Sequence, residues 1–284
     1  MHREGAPLDR IAHSGERTTI GAFRCAVSDR RFSDSGPIER DIFVFPRCAV
    51  RIRHAGGPSF VADPALATAY NKGQIYDRRV VSEEGDRSDW FAVPRAAAME
   101  AVERYGLTPS PSGPFPFPHV PVSDATYLSQ RRLFRAAMLG APALEIEEGV
   151  YALLDGVVEE AARARGSRVP PHAHARDHDI AESVRALVAS GFDEKWTLAR
   201  LSATLGPSPF ALCRAFRKVM RTSIHQFQTT LRLRVSLERL EDAKGDLAGL
   251  AHDLGFAGHS HFSMAFSRRF GAPPSQARET LARF

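Results

Sequence analysis

Residues 197–221 read TLARLSATLGPSPFALCRAFRKVMR and predict a short helix, a tight turn and a second helix. Three leucines recur at three- and four-residue spacing and predict one apolar helical face: Leu198, Leu201 and Leu205. Gly206 predicts the end of the first helix, because glycine adopts the left-handed conformation without a steric penalty. Ser208 and Pro209 predict the start of the second helix, since serine caps helices and proline suits the first helical position.

The second predicted helix combines an apolar stripe with a basic face. The stripe consists of Leu212, Ala215, Phe216 and Val219. The opposite face consists of Phe210, Cys213, Arg214, Arg217 and Lys218. Two helices that are joined by a short glycine-containing turn, with the second one basic, are typical of a DNA-reading helix-turn-helix.

This pattern occurs twice in the chain. The segment DLAGLAHDLG at residues 246–255 aligns with TLARLSATLG at residues 197–206, with all three leucines in register. With one residue added at the turn, four later residues also align with the first copy: Phe262, Ala265, Phe266 and Arg268. A repeat of this length predicts two copies of one supersecondary unit. Helical spacing of the apolar residues over 223–243 predicts a helix that connects them.

Further motifs over about a hundred residues, 180–283, support a family resemblance. They are LARLSATLGPSPFALCRAFRK, then Phe227 with Arg232-Leu233, then LAGLAHDLGFAGHSHFSMAFSRRFGAPPSQAR. The most specific succession is Gly255-Phe256, Ser260-x-Phe262, Phe266, Phe270-Gly271 and Pro274-Ser275. With these motifs the region resembles the DNA-binding domain of AraC/XylS transcriptional regulators. The resemblance implies that double-stranded DNA is the partner of two recognition helices.

The composition is that of an ordinary globular protein. A chain of 284 residues predicts two domains, and 43% apolar with 25% charged residues is typical of soluble proteins. No apolar run of 18 residues occurs, and the start MHREGAPLDR lacks the apolar core of a signal peptide. Cys25, Cys48 and Cys213 have neither zinc-site nor disulfide spacing. We therefore expect a cytoplasmic protein without a membrane partner.

The net charge of +5 is unevenly distributed along the chain. Residues 179–284 contain 15 Lys and Arg against 10 Asp and Glu, whereas residues 1–178 contain 23 of each kind. The whole positive excess therefore lies in the predicted DNA-binding half. Lys and Arg contacts to phosphates release counterions from a DNA duplex, so this distribution favours nucleic-acid binding by that half.

Residues 1–122 predict a β-rich domain. Strand-like segments alternate with Pro and Gly turns: DIFVFP (41–46), AVRIRH (49–54), SFVAD (59–63), QIYDRRVVSE (74–83) and SDWFAVP (88–94). Short strands at regular spacing predict a small barrel or sandwich, and the fold class of the chain is therefore α+β. The family resemblance implies a cupin-like sensor domain for a small-molecule effector, carried mainly by residues 73–93.

The β-rich domain does not predict a catalytic metal. Its histidines are His2, His13, His54 and His119, without the close His pair and the carboxylate that a metal-dependent cupin uses. We expect no enzyme activity, no metal and no cofactor. The candidate effector-binding residues, on or beside predicted strands, are Arg53, His54, Tyr76 and Trp90. The alternative is that Tyr76 and Trp90 fill the core.

A helical pair is predicted between the two domains. Residues 109–121 are proline-rich, which excludes a helix or a central strand there. Ser123 then caps a helix, and residues 123–165 predict two helices in succession. The resemblance implies that such a pair forms a homodimer. Packing of the pair on its own β domain is the alternative.

A linker and the DNA-binding domain complete the predicted organisation. Residues 166–178 are a linker by composition, and residues 179–284 form the DNA-binding domain. The linker contains three histidines that we expect to be solvated rather than bound to metal: His172, His174 and His178.

The resemblance also implies which side chains meet DNA. Each recognition helix is expected in a major groove, with the two grooves about 34 Å apart. The base-facing positions are Phe210, Cys213 and Arg214 in the first unit and His259, Ser260, Ser263 and Met264 in the second. Arg214 suits guanine, because a guanidinium can bind O6 and N7 together. Met264 takes the equivalent position, so the second unit is expected to read less sequence.

Other side chains are expected to bind phosphates, which position a protein without specifying sequence. They are Ser208, Arg217, Lys218, Arg268 and Arg269. Together these features predict a sequence-specific transcriptional regulator. From the resemblance we expect a ligand-responsive activator with RNA polymerase as a further partner. Two alternatives stay open, a ligand-independent architectural DNA binder and a cupin enzyme fused to a DNA-binding domain.

Overall fold

The computed structural model describes residues 8–33, 36–166, 175–240 and 246–282. In these ranges the N-terminal part is an antiparallel β domain with one helix, α1 (Arg95–Arg104). Its strands are β1 (Asp9–Ser14), β2 (Thr19–Cys25), β3 (Ile42–Pro46), β4 (Val50–His54), β5 (Ser59–Ala62), β6 (Leu66–Tyr70), β7 (Tyr76–Val80), β8 (Asp86–Ala92) and β9 (His119–Pro121). All five predicted strand segments are confirmed, with shifts of one to three residues at most of their ends.

The strands form two sheets. One has the order β1-β2-β8-β3-β6-β9, the other has the order β5-β4-β7, and in the described ranges they do not close into a barrel. The predicted α+β class is confirmed, and the β domain is a sandwich. Strand β9 lies at a sheet edge, in agreement with the exclusion of a central strand from residues 109–121.

Helices α2 (Asp124–Met138) and α3 (Ala143–Gly166) cover the six-stranded sheet. The Ser123 hydroxyl accepts a hydrogen bond from the Thr126 amide, so the predicted cap is confirmed. The apolar stripe of α3 joins one buried cluster with the sheet: Ile146, Val150, Leu153, Leu154, Val157, Val158 and Ala161. The stripe therefore serves the core of its own chain, as in the alternative to dimerisation. A homodimer stays a prediction.

The C-terminal part is helical. Its helices are α4 (Ala175–Ser190), α5 (Leu198–Leu205), α6 (Pro209–Met220), α7 (Ile224–Arg239), α8 (Leu247–Asp253), α9 (His259–Phe270) and α10 (Pro274–Ala282). The predicted connecting helix is α7, which Ser223 and Gln226 begin with a reciprocal capping box. Residues 241–245, at the predicted end of that helix, lie outside the described residues. In the described ranges no helix has both the length and the apolar character of a membrane span.

Helix α4 corrects the predicted linker. The helix begins at Ala175, so the last four residues of the stretch 166–178, His178 among them, are helical. The reason is that Asp177 is buried in the first turn, where its carboxylate accepts hydrogen bonds from Lys218 and Arg214. Residues 167–174, with His172 and His174, lie outside the described residues, as does His2.

Candidate nucleic-acid interface and internal cavity

A cavity of about 570 Å³ lies between the two sheets. Because alternate residues of a strand share one face, the inward side chains of neighbouring strands form its wall. The six-stranded sheet contributes Asp9, Ile11, Ser14, Thr19, Phe23, Ile42, Val44, Pro46, Thr68, Tyr70, Asp86, Ser88 and Trp90. The three-stranded sheet contributes Val50, Ile52, Ala62 and Tyr76, and the segment before β3 contributes Gly36, Pro37, Ile38, Glu39 and Arg40. This volume, with apolar and aromatic side chains around a smaller set of polar groups, is typical of a small-molecule site.

Two of the four predicted effector-binding residues line this cavity, namely Tyr76 and Trp90, whereas Arg53 and His54 do not. The Arg53 side chain is about half exposed and forms an ion pair with Asp77 of β7. It points away from the cavity because the alternation of side chains along β4 turns it outward, so the structure does not place Arg53 in the cavity wall.

His54 is buried beside the cavity rather than in its wall. Its Nδ1 atom lies 2.6 Å from the Gln74 amide nitrogen, and its ring contacts those of Phe60 and Tyr70. Burial lowers the pKa of His54 to about 4. Burial also lowers the pKa of His119, with smaller contributions from Arg185 and His54, to about 4. Both rings are therefore neutral at physiological pH.

The first helix-turn-helix consists of α5 and α6. The Thr197 hydroxyl accepts a hydrogen bond from the Arg200 amide, and the Ser208 hydroxyl accepts one from the Ala211 amide. Gly206, between the helices, has a φ of 92°. The turn therefore forms as its sequence predicts.

Three predicted stripe residues of the first unit are fully buried in a cluster with α4 and α7: Leu201, Leu212 and Phe216. Leu198 is 42% exposed, so the stripe of α5 is narrower than its leucine spacing predicts. The reason is that α5 begins at Leu198 and lies at the edge of the cluster.

The outer face of α6 carries the predicted DNA contacts of the first unit. Phe210 is 77% exposed, and Cys213 and Arg217 are also exposed. The Arg214 side chain is 60% exposed, and its Nη2 atom lies 3.4 Å from the Asp177 carboxylate. Lys218 is closer to the same carboxylate, at 2.8 Å from Nζ to Oδ2. Arg214 is thus farther from the Asp177 carboxylate than Lys218 is, and its side chain is more available to DNA.

The second helix-turn-helix consists of α8 and α9. Asp246 caps α8 by accepting a hydrogen bond from the Gly249 amide, whereas α9 follows Gly258 without a side-chain cap. Phe262 and Phe266 are fully buried, as their alignment with the first unit predicts.

The predicted base-facing residues of α9 lie on its outer side. Met264 is 70% exposed, and His259 and Ser260 are exposed beside it. The Ser263 hydroxyl is partly buried and lies 3.2 Å from the His259 Nε2 atom. This face carries no positive side chain at the position equivalent to Arg214.

The two predicted phosphate-binding arginines of α9 differ in their surroundings. Arg268 is exposed. Arg269 forms an ion pair with Asp124, the first residue of α2, and donates a hydrogen bond to the Thr230 hydroxyl at 3.0 Å. In this structure Arg269 is thus bound to the N-terminal domain.

Helix α7 fixes the relation between the two units. Arg232 donates hydrogen bonds to the Phe192 carbonyl at 2.7 Å and to the Gly255 carbonyl at 2.6 Å. Gly255 has a φ of 74°, and a Cβ atom there would lie 2.0 Å from the Asp193 carbonyl oxygen. Only glycine permits this close approach, which explains why the turn of the second unit contains it.

The comparisons with known proteins agree with this geometry. Residues 201–280, which contain both α6 and α9, match a family described as a helix-turn-helix domain. A protein of Streptomyces lividans, assigned as an AraC-like transcription regulator, is 30% identical over 84 residues. A protein of Streptomyces antibioticus with the same assignment is 27% identical over 84 residues. Over these residues the chain is similar to AraC-like transcription regulators, and we call its helical C-terminal part the AraC-type domain.

The matches to the curated relatives are partial. Each covers 30% of this chain and spans 28% of the relative's own length. Among solved structures, ToxT from Vibrio cholerae O395, bound to (E)-4-(8-methylnaphthalen-1-yl)but-3-enoic acid, is similar over 94% of this chain and the whole of its own. The sequence identity there is 12% and the TM-score is 0.39.

Arg234 of α7 holds the AraC-type domain against the N-terminal domain. The residue is 2% exposed and donates hydrogen bonds to the carbonyls of Pro64 at 2.7 Å and Val122 at 2.6 Å. Its guanidinium also binds Asp124 at 3.0 Å. Sequence reasoning missed this residue. The available signal was its position three residues after Leu231, on the apolar side of the helix.

A second ionic contact joins α7 to the sheet. Glu238 binds Arg87 of β8 at 2.5 Å and lies 3.6 Å from Arg47. Burial alone would raise the pKa of Glu238, but the nearby arginines, Arg47 first, outweigh it and lower the pKa. Glu238 is therefore ionised at physiological pH. The AraC-type domain and the β sandwich are joined through buried charged groups as well as apolar contacts.

Proposed function

We propose that the protein is a sequence-specific DNA-binding transcriptional regulator whose DNA binding is controlled by a small molecule. The observation that carries the proposal is the pair of helix-turn-helix units whose second helices, α6 and α9, present exposed outer faces while α7 fixes their spacing. The positive excess of the chain lies in the same half. Such an arrangement suits two successive major grooves on one side of a duplex.

The first unit is proposed to read sequence. Arg214 binds guanine through O6 and N7, and Phe210 packs against a thymine methyl group. Cys213 lies beside them on the same exposed face. Arg217 and Arg268 bind phosphates, together with Lys218 and Arg269 when these exchange their carboxylate partners for DNA. The second unit has Met264 at the position equivalent to Arg214, so it contacts the DNA backbone more than it contacts bases.

The small molecule is proposed to occupy the cavity between the sheets. Strand β8 separates that cavity from α2, because Ser88 and Trp90 line the cavity while Asp89 lies on the other face. The fully buried Asp89 carboxylate accepts hydrogen bonds from Gln130 at 2.7 Å and Arg131 at 2.9 Å, both on α2. A ligand that shifts β8 would therefore act on α2.

Helix α2 in turn contacts the AraC-type domain. Its first residue, Asp124, binds Arg269 of α9 and Arg234 of α7. We propose that a ligand changes DNA binding through this contact, by altering how firmly α9 is held. Activation through RNA polymerase and dimerisation through α2 and α3 belong to the same proposal.

The test is in vitro selection of bound DNA with the full chain. The wild-type protein should enrich a motif with two half-elements about one helical turn, roughly 34 Å, apart. Arg214→Ala should lose about 1–3 kcal/mol of binding free energy and relax one base position. Arg217→Ala should weaken binding to all sequences alike and reduce the salt dependence by about one phosphate contact. Arg163→Ala, on the exposed side of α3, is the matched control and should change neither.

The outcome against the proposal is equally defined. If the wild-type chain enriches no motif and its DNA binding vanishes with added salt, the protein is an architectural binder rather than a sequence reader. A motif that survives Arg214→Ala unchanged would show that α6 does not read bases through this residue.

A further inference from the structure

We propose that the cavity between the sheets takes an organic cation, a molecule with an aromatic body and a protonated amine or guanidinium at one end. This inference rests on the proposed function, because it names the chemical class of the effector. It follows from three features of the cavity: its aromatic wall, the carboxylates that line it and the pair of buried hydroxyl groups of Thr68 and Tyr70.

Two buried polar side chains line one part of the cavity. Thr68 and Tyr70 of β6 lie there and are at most 5% exposed. Their hydroxyl groups lie close together, so this part of the wall offers a ligand a small polar group among apolar side chains.

The wall is rich in aromatic rings. Phe23, Tyr70, Tyr76 and Trp90 all face the cavity. Trp90 pairs with Gly21 across β2 and β8, and a Cβ atom at Gly21 would lie 2.4 Å from the indole ring. Glycine at this position therefore makes room for the indole, whose face can stack on a cation.

A carboxylate holds this indole from the mouth of the cavity. The Trp90 indole N–H donates a hydrogen bond to Asp9 at 2.7 Å. Burial raises the pKa of Asp9, and Glu39 adds to the effect, while the Trp90 hydrogen bond and Arg78 oppose it. A cation bound beside Trp90 would compensate this carboxylate.

The charges around the cavity favour a cation over an anion. Three carboxylates line it, from Asp9, Glu39 and Asp86. Asp86 is neutralised by Arg78 at 3.1 Å. Arg40, the one guanidinium among the lining residues that the structure describes, donates to the Thr19 hydroxyl at 2.6 Å and keeps its positive charge. Apart from the Asp86–Arg78 pair, the lining therefore carries the negative charges of Asp9 and Glu39 against the positive charge of Arg40. An anionic ligand would therefore face the carboxylates of Asp9 and Glu39.

The domain already stacks a cation on these rings. The Arg78 guanidinium lies 4.8 Å from the ring centroid of Phe23 and 5.7 Å from that of Tyr76. Both rings also line the cavity. A ligand in the cavity would therefore contact the same rings and carboxylates that surround the guanidinium of Arg78.

The experiment compares matched ligands on the full chain by isothermal titration calorimetry. Three pairs share an aromatic body and differ only in the charged end: phenethylamine and 3-phenylpropionate, tryptamine and indole-3-propionate, and 2-(1-naphthyl)ethylamine and 3-(1-naphthyl)propionate. In at least one pair the amine should bind about tenfold more tightly than the carboxylate, as a desolvated cation–π contact allows.

Two substitutions that remove the same charge separate a specific site from general electrostatics. Asp9→Asn keeps an acceptor for Trp90 and should reduce the preference for the amine to less than about threefold. Asp77→Asn removes a carboxylate from the outer side of the same sandwich, where it pairs with Arg53, and should leave the preference unchanged. Gly21→Ala should displace the indole and weaken every ligand, while circular dichroism reports whether the domain is folded.

The proposal fails if each carboxylate binds as tightly as its amine or more tightly, or if none of the six compounds binds. It also fails if Asp77→Asn abolishes the preference as fully as Asp9→Asn does. DNA binding is measured in parallel on the same protein. DNA binding without any amine preference would overturn this inference alone, whereas amine binding without DNA binding would overturn the proposed regulator alone.

Discussion

The two helix-turn-helix units share one sequence pattern but have different neighbours. In the first unit, α6 packs on α4 in an apolar cluster that also contains Ala49 and Val61 of the N-terminal domain, and Phe210 on its outer face is 77% exposed. In the second unit, the buried rings of α9 join the apolar cluster of the six-stranded sheet, and Arg269 is bound to Asp124 of α2. Both units thus share apolar clusters with the N-terminal domain, but the described ion pairs of α6 stay within its own domain, whereas that of α9 reaches α2.

This difference shows what a sequence repeat determines. Phe216 and Phe266 occupy equivalent positions, and both are fully buried within their own units. The repeat therefore fixes the core of each unit. It does not fix the partner of the unit, which depends on unique residues such as Asp124 and Asp177.

The strongest test of the comparison is to remove the equivalent rings one at a time. Phe216→Ala and Phe266→Ala should each lower the free energy of unfolding by about 3–5 kcal/mol, because each leaves a cavity in a packed core. Fluorescence of single-tryptophan variants separates the domains, since Trp90 lies in the sandwich and Trp196 precedes α5. Phe266→Ala should shift the Trp90 transition more than Phe216→Ala does. Equal effects on Trp90 would contradict the shared core.

Acid should destabilise the β sandwich and, through it, both helix-turn-helix units. His54 and His119 have a pKa of about 4 in the folded protein, below the usual value near 6.5. The unfolded chain therefore binds protons first, and stability that is complete above pH 6.5 is lost as the pH falls towards 4. At pH 5 the loss is roughly 1–2 kcal/mol per histidine.

Hydrogen exchange at pH 7 and pH 5, corrected for intrinsic rates, measures this effect. Protection should fall in both α6 and α9, because each helix lies in an apolar cluster that contains residues of the N-terminal domain. His119→Phe removes one titrating group and should reduce the loss. A fall that is confined to the sandwich would show that the two units do not depend on it.

The ends of the two recognition helices give a smaller test. Both end in the left-handed conformation, at Arg221 with a φ of 56° and at Gly271 with a φ of 77°. Gly271→Ala should lower the free energy of unfolding by about 1 kcal/mol, because a side chain is strained there although no atom within 4 Å opposes its Cβ. Thermal unfolding followed by circular dichroism measures it. No loss of stability would indicate that the turn relaxes.

The smallest effect is expected from releasing the second unit. Asp124→Asn removes the charge that holds Arg269, and this frees the arginine for a phosphate. Affinity for the selected DNA should rise roughly two- to fivefold, since a partly exposed ion pair is worth at most about 1 kcal/mol. Asp155→Asn on α3, which breaks the Arg104 pair, is the control and should leave affinity unchanged. If the wild type and Asp124→Asn bind DNA with equal affinity, the Arg269–Asp124 ion pair does not control DNA binding.

Much of the C-terminal fold was predictable from local sequence. Caps at Ser208 and Ser223, the glycine at Gly206 and the spacing of the apolar residues all act within a few residues of the chain. The exposed positions of Phe210 and Met264 followed from the same helical period. Helix α4 began earlier than predicted because its first turn depends on Lys218, about forty residues away.

The N-terminal fold was less predictable because its elements depend on distant partners. Strand β6, residues Leu66–Tyr70, is buried at every position and lacks the alternation that marks a half-exposed strand. Strand β2 contains Gly21, which is a poor strand former until Trp90 of β8 covers it. Asp9, at the mouth of the cavity, lies in a strand that was not predicted. No local pattern could place it beside Trp90.

The buried arginine of α7 has a consequence for engineering chimeric sensors. Regulators are often recombined by joining the sensing half of one protein to the DNA-binding half of another. Here such a graft would separate Arg234 from the carbonyls of Pro64 and Val122 and leave a buried charge without its acceptors. A working fusion would have to include the loop at Pro64 and the start of α2 together with the AraC-type domain. The best fusion point therefore does not coincide with the boundary between the domains.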